Sequence, residues 1–310
     1  MKIAHINNPS GIATNLAAEQ RRKGHDVDIF VFNQIIFKQF GGTRLRYWSP
    51  LDRWSLFKKL KRYDVWHYHY PYGSLKKSLE IRNADKIYLK HYHGNDLRGR
   101  HEEGFCLVST PDLLKNAPRG EWLPTPIDLN EVTTITSNLS SNCTEKVEDH
   151  EPPWVAHYPY YKNYQASDQY SEVLSRLHKE GRCVLVNILN QPHSEALRMV
   201  ATCDIVIGKI IPEIGWFGKF ELEGMALGRS VIAYVSEELY EKYRPPVYRT
   251  TVSTFQRDLE GLLDNPSRRQ LLSKDGMEYV RKNHSLELVV QALMTYYHKM
   301  SPDSHSISGS

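Results

Sequence analysis

Gly215 to Val235, GWFGKFELEGMALGRSVIAYV, decides how this chain is read. A glycine-punctuated loop runs into a helix starting at about Phe217, a Gly-Arg pair at Gly228 and Arg229 stops it, and the apolar run Val231 to Val235 follows as a strand. Glu221 and Glu223 stand early in that helix. The first N–H groups of a helix lack intrahelical partners and carry partial positive charge, so such a start can hold a diphosphate. A carboxylate farther along can accept from ribose hydroxyls. The plainer description is a helix-turn-strand unit of any α/β protein. Glu221 and Glu223 lie about 200° apart around a helix, so only one of them can face a ligand.

On either side of this stretch, short apolar runs alternate with helical patterns, which is the signature of a parallel sheet with crossover helices. KIAHIN, DVDIFVF, DVWHYHY, KIYLKHY and CLVST read as strands of a first domain, with a helix from Ile12 to Gly24. LPTPID, Leu123 to Asp128, reads as its exit, because two prolines deny the chain a strand partner. The segment 129–151 is rich in Thr, Ser, Asn and acids and reads as a linker or surface insertion. A second alternation starts at WVAHYPYYKNY, continues through a helix at about 166–179, CVLVNIL, a helix over 194–202 and DIVIGKII, and leads into the opening motif. Helical periods follow over 253–263, 268–283 and 286–300. The expected division is a first domain at 1–127, a polar segment at 128–152, a second domain at 153–285, a helix at 286–300 returning to the first domain, and a disordered tail at 301–310.

A chain of 310 residues is ample for two α/β domains. The four cysteines, at 106, 143, 183 and 203, lack metal spacing and suggest no disulfide framework. MKIAHINNPSG contains no apolar signal region, and no apolar run approaches the roughly 20 residues that cross a bilayer, so a cytoplasmic protein is expected. A net charge of +4 without zinc-finger spacing or an Arg- and Lys-dense helix argues against a nucleic-acid partner.

In open α/β sheets ligands bind beyond the carboxyl ends of the strands. Here those loops carry Asn8 to Gly11, His67 to Tyr70, His91 to Arg98, His157 to Lys162, Asn187 to His193 and Lys209 to Gly218. Together GWFGKFELEGMALGRSV, HGNDLR, STPDLL with LPTPID, and GIATNLAAEQRRKGHDV resemble the family-4 type of retaining glycosyltransferase. The resemblance covers roughly 1–128 and 153–300 and implies the GT-B fold, two Rossmann-like doubly wound parallel-sheet domains facing across a cleft. It also implies a UDP- or GDP-linked sugar donor, held mainly by the second domain, and a saccharide or lipid acceptor held mainly by the first. No cofactor and no metal are expected.

Residue by residue, Glu223 matches the family's ribose-binding acid, because Gly-Met-Ala-Leu-Gly-Arg follows it. A literal E-x7-E spacing instead pairs Glu213 with Glu221. Gly215 stands where the family carries an acid before its loop, and Glu213 is the candidate substitute. Gly215, Trp216, Phe217, Gly218 and Lys219 form the loop itself. Lys162 matches the lysine of an Arg-x4-Lys arrangement, with His157 in place of the arginine and Lys209 and Lys219 as compensating cations. His93 matches the cleft histidine that approaches sugar and diphosphate. Gly11 fits the first βα loop, where a missing side chain lets backbone N–H groups approach a ligand. Asp96 and Arg98 are expected to bond each other or cap local backbone.

Two other readings compete. His67/His69 and His91/His93, each pair sharing a strand face, would suit a metal-dependent hydrolase. The missing arginine and displaced acid would suit a nucleotide-sugar-binding scaffold without transfer activity. Separately, Lys38, Arg44, Arg46, Arg53, Lys58, Lys59, Lys61 and Arg62 interleave with Tyr47, Trp48, Trp54 and Phe57. This face either lies on an anionic membrane surface at its cytoplasmic side or is an ordinary helix with Trp54, Phe57 and Leu60 docked on the sheet.

Overall fold

The computed structural model describes residues 1–32, 40–47, 49–71, 73–82, 86–142, 150–159 and 165–301, with the side chains of 74, 140–142 and 165–169 also left out. The chain divides into two compact units, Met1–Pro126 with Leu286–Ser310, and Ile127–Ser285.

The first unit runs β1 (Lys2–Ile6), α1 (Ile12–Arg22), β2 (Asp26–Val31), β3 (Thr43–Arg44), α2 (Pro50–Leu60), β4 (Val65–His69), α3 (Gly73–Arg82), β5 (Ile87–Tyr92), β6 (Cys106–Val108) and β7 (Gly120–Trp122). The second runs α4 (Leu129–Asn142), β8 (Trp154–His157), α5 (Gln165–Lys179), β9 (Val184–Asn187), α6 (His193–Ala201), β10 (Ile205–Ile207), α7 (Lys219–Ala226), β11 (Ser230–Ala233), α8 (Glu237–Tyr243), β12 (Tyr248–Arg249), α9 (Phe255–Leu263) and α10 (Pro266–Asn283). A last helix, α11 (Leu286–Lys299), belongs to the first unit.

The first sheet has the order β3-β2-β1-β4-β5-β6-β7 and the second β12-β11-β10-β8-β9, all neighbours parallel. Each order reverses direction once, the mark of a doubly wound sheet with helices on both faces. In the first unit Ile3, Val65, Leu89 and Leu107 pack under α1 and α11, through Leu16, Val290 and Leu293. Ala4, Ile6, Trp66 and Tyr68 pack on the other face against Leu56, Phe57 and Leu60 of α2 and Leu79 of α3. Helix α2 begins at Pro50 under a reciprocal cap: Asp52 N–H donates to Ser49 Oγ at 3.1 Å, and Ser49 N–H to Asp52 Oδ2 at 3.0 Å.

The segment expected to link the domains contributes to the second core instead, since Val132 and Ile135 of α4 are buried with Leu197, Val206 and Trp216. Four bonds from the hydroxyls of Thr133, Thr134 and Thr136 to carbonyls one turn back accompany its poor helix propensity, and the buried valine and isoleucine outweigh that propensity. The expected tail falls outside the described residues beyond Ser301.

Candidate active site

Strand phase and register place five histidines on one face of the first sheet. His5 pairs in register with His67, and His69 with His91, while His67/His69 and His91/His93 are two residues apart. They continue toward the carboxyl ends the stripe that Ile3, Val65 and Leu89 begin. His5, His67, His69 and His91 are fully buried and His93 is partly exposed.

These rings bond one another. His67 Nδ1 meets the Tyr297 hydroxyl at 2.7 Å, and His67 Nε2 meets His91 Nδ1 at 3.2 Å. His91 Nε2 and His93 Nδ1 both meet Ser109 Oγ, at 3.0 and 2.6 Å. His93 Nε2 meets His69 Nδ1 at 3.0 Å, His69 Nε2 meets His5 Nδ1 at 2.8 Å, and His5 Nε2 meets Gln20 Oε1 at 2.7 Å. Burial lowers every one of these imidazole pKa values: His5 to about 4, His93 to about 3, and His67, His69 and His91 well below the ordinary range. All five are therefore neutral at pH 7.

Two triads, His5/His67/His69 and His69/His91/His93, bring ligand nitrogens within 4.8 Å of one another, which is the spacing the hydrolase reading needs. The existing bonds work against it. His69, the ring common to both triads, has Nδ1 on His93 Nε2 at 3.0 Å and Nε2 on His5 Nδ1 at 2.8 Å. Both of its nitrogens are engaged by neighbouring imidazoles rather than aimed jointly at one ion.

The other residues expected around this network have local duties. Asp96 accepts from the His93 and Gly94 N–H groups at 3.0 and 2.7 Å, and burial lifts its pKa to about 6 against those bonds. Arg98 pairs with Asp112 rather than with Asp96. Gly11 has φ +72°, and a Cβ there would meet Phe40 Cδ1 at 2.8 Å, so the position requires glycine both for its backbone and for the ring beside it.

In the second unit Glu221 and Glu223 divide as their helical phase requires. Glu221 is structural: its Oε2 accepts from Gly218 N–H at 2.9 Å and its Oε1 from Lys209 N–H at 2.7 Å, closing the start of α7. Gly208 permits this, since a Cβ there would fall 2.6 Å from Glu221 Cγ. Glu223 Oε1 takes His193 Nε2 at 2.7 Å and Lys219 Nζ at 3.0 Å. Burial would raise the Glu223 pKa; the Lys219 ammonium and the His193 bond outweigh burial and lower it, leaving a carboxylate at neutral pH. His193, at the start of α6, also lies 4.0 Å from Glu131 of α4. Lys209 Nζ sits 2.5 Å from where a Gly218 Cβ would be, so two ammonium groups flank the helix start.

Trp216 and Phe217 stack on each other at 4.4 Å, both in the core, so only their backbone can meet a ligand. Gly215 has φ +74° and turns the loop. Glu213 is exposed. His157 is buried at the end of β8, with Nδ1 3.3 Å from Asn187 Oδ1 and Nε2 without a partner among the described residues. Burial lowers its pKa to about 4 against the Asn187 bond, so it does not replace the charge of an arginine. Lys162 lies outside the described residues, as do Lys38 and Trp48. Sequence reasoning missed the bond from His193 to Glu223 because 30 residues separate them; it did place His193 in a strand-end loop.

Two doubly wound parallel sheets in this order define the GT-B fold. The sequence matches no protein-family model and no curated protein. Among solved structures, a glycosyltransferase from Rickettsia africae is similar with a TM-score of 0.65 at 12% identity, over 97% of this chain and 99% of that one. A sucrose-phosphate synthase from Thermosynechococcus elongatus gives 0.63 at 15%, again over 97% and 99%. The catalytic domain of starch synthase IV from Arabidopsis thaliana, solved with ADP and acarbose, gives 0.62 at 11% over the same shares.

Proposed function

We propose that this chain is a glycosyltransferase of the retaining, family-4 type that moves a sugar from a UDP- or GDP-linked donor to a hydroxyl acceptor. The observation that carries this is the start of α7: a glycine-capped helix N-terminus, flanked by Lys209 and Lys219, one turn before a buried, ionised Glu223. That arrangement suits a diphosphate at the ammonium groups and helix dipole, and a ribose at the carboxylate. His193 holds Glu223 for the task and can itself bond a hydroxyl.

In a front-face retaining transfer the departing phosphate oxygen takes the acceptor proton, so the protein supplies positioning and charge rather than a general base. Lys209 and Lys219 would carry the leaving-group charge without a metal. His93 and Lys162 keep the substrate roles that the resemblance implies, His93 as a neutral imidazole. Glu213 is proposed as the acid nearest the loop. Nucleoside diphosphate release should be measured with UDP- and GDP-sugars and a broad acceptor panel. Release with a product of unchanged anomeric configuration is the expected result; tight nucleotide binding with no release would favour the scaffold reading.

A second proposal concerns the acceptor side. Trp54 is 63% and Leu51 78% exposed on α2, and Ile81 is 72% exposed on α3, while Phe57 and Leu60 dock on the sheet as the plain helix reading requires. Arg53, Lys58, Lys61 and Arg82 line the adjoining groove. Exposed apolar groups among basic ones favour an anionic membrane surface carrying a lipid-linked acceptor. No helix among the described residues is long and apolar enough to cross a membrane.

A further inference from the structure

The hydrogen bonds of the first unit form one chain: Gln20, His5, His69, His93, Ser109, His91, His67 and Tyr297. Every member except His93 is buried. A neutral imidazole offers one donor and one acceptor, so a direction fixed at the Gln20 end passes from ring to ring along the chain.

Gln20 supplies that fixed point. Its amide nitrogen faces Met294 Sδ at 3.9 Å, a group that can only accept here, which leaves its carbonyl oxygen on His5 Nε2 at 2.7 Å. An oxygen that only accepts requires a proton on His5 Nε2, leaving His5 Nδ1 to accept from His69 Nε2. His69 Nδ1 then accepts from His93 Nε2, and His93 Nδ1 from the Ser109 hydroxyl. Ser109 in turn accepts from His91 Nε2, His91 Nδ1 from His67 Nε2, and His67 Nδ1 from the Tyr297 hydroxyl. No buried nitrogen of this hydrogen-bond chain is left unsatisfied, which removes the cost of burying five polar rings.

We propose that Gln20 is a positioning residue that sets the tautomer of His93 through this hydrogen-bond chain, with all five imidazoles carrying their proton on Nε2. His93 then presents Nδ1 as an acceptor, and any group that replaces Ser109 there must donate. Reversing the Gln20 end requires its amide to turn over and His5, His69 and His93 to exchange their protonated nitrogens together, because the Ser109 hydroxyl can accept from both His93 and His91.

Long-range proton-nitrogen correlation spectra of the full chain labelled with nitrogen-15 histidine read tautomers directly, independently of transfer activity. The expected result at pH 7.5 is five buried rings protonated at Nε2 and bare at Nδ1. Gln20→Glu keeps an acceptor at His5 and should keep that pattern, whereas Gln20→Leu should turn His5, His69 and His93 into tautomer mixtures. Rings protonated at Nδ1 in the wild type, or an unchanged pattern in a folded Gln20→Leu, would overturn the proposal. So would stoichiometric zinc uptake that shifts several bare nitrogens together, an outcome that would instead make the cluster a metal site. If Gln20→Leu does not fold, the wild-type and Gln20→Glu spectra still decide.

Discussion

At the carboxyl ends of its strands the first unit gathers five imidazoles that satisfy one another, whereas the second sets the Glu223 carboxylate against Lys219 at 3.0 Å, with Lys209 beside the same helix start. Both sheets are doubly wound, so the fold offers the same kind of position twice. A strand-end polar residue is therefore not a ligand contact by location alone. What separates the two is solvation: burial removes charge from rings that have neutral partners, while a carboxylate with an ammonium 3.0 Å away keeps its charge despite burial.

Acid breaks this comparison most severely. The five histidines have folded pKa values below their unfolded value, so the unfolded chain binds protons that the folded chain does not, and stability falls as pH drops below about 6.5. His5 and His93, held at about 4 and about 3, each cost about 2 kcal/mol between pH 7 and 5, and His67, His69 and His91 act in the same direction, so the loss is a sizeable part of an ordinary domain's stability. In the second unit His157 contributes in the same direction, and the lowered Glu223 pKa matters only below its unfolded value, more acidic than this window. Amide exchange at pH 5 against pH 7 should show protection lost first across β1, β4 and β5. Equal loss in both units would mean that the histidine chain is not neutral.

Within α7 the paired acids should separate stability from binding. Glu221→Ala strands two backbone donors, Gly218 N–H and Lys209 N–H, and should cost about 2 to 3 kcal/mol by chemical denaturation. Removing either ammonium, Lys209→Ala or Lys219→Ala, should weaken nucleoside diphosphate binding by about tenfold in titration calorimetry, with a shallower salt dependence. Unchanged affinity in both would move the diphosphate elsewhere. Trp54→Ala should have the smallest effect: about fivefold weaker sedimentation with anionic vesicles, no change with neutral ones, and stability within about 0.5 kcal/mol of wild type. Equal, negligible binding to both vesicle types would remove the membrane proposal.

Much of this architecture was legible because the strands are apolar runs of the right length. KIAHIN, DVWHYHY and CVLVNIL lie within a residue or two of β1, β4 and β9. The two-residue strands β3 and β12, and β7 with its single inward aromatic, carry too little pattern to be read, and tertiary pairing alone makes them strands. Helix α4 was missed because Thr, Ser and Asn dominate it and its burial rests on Val132 and Ile135. At the site, helical phase separated Glu221 from Glu223, and strand phase put the histidine pairs on one face. Three features depend on long-range packing: the ring of Phe40 over Gly11, the burial of Trp216 and Phe217, and the ends of the histidine chain at Gln20 and Tyr297.

Glu223, and not Glu221, is the acid proposed to hold the donor. Thermal shift with UDP, GDP, ADP and their sugars tests it, because a ligand that binds only the folded state raises the melting temperature. Glu223→Ala is expected to lose most of the shift seen in the wild type, while Glu221→Ala melts lower but still responds to the same nucleotide. A full response in Glu223→Ala, with none in Glu221→Ala, would contradict that assignment.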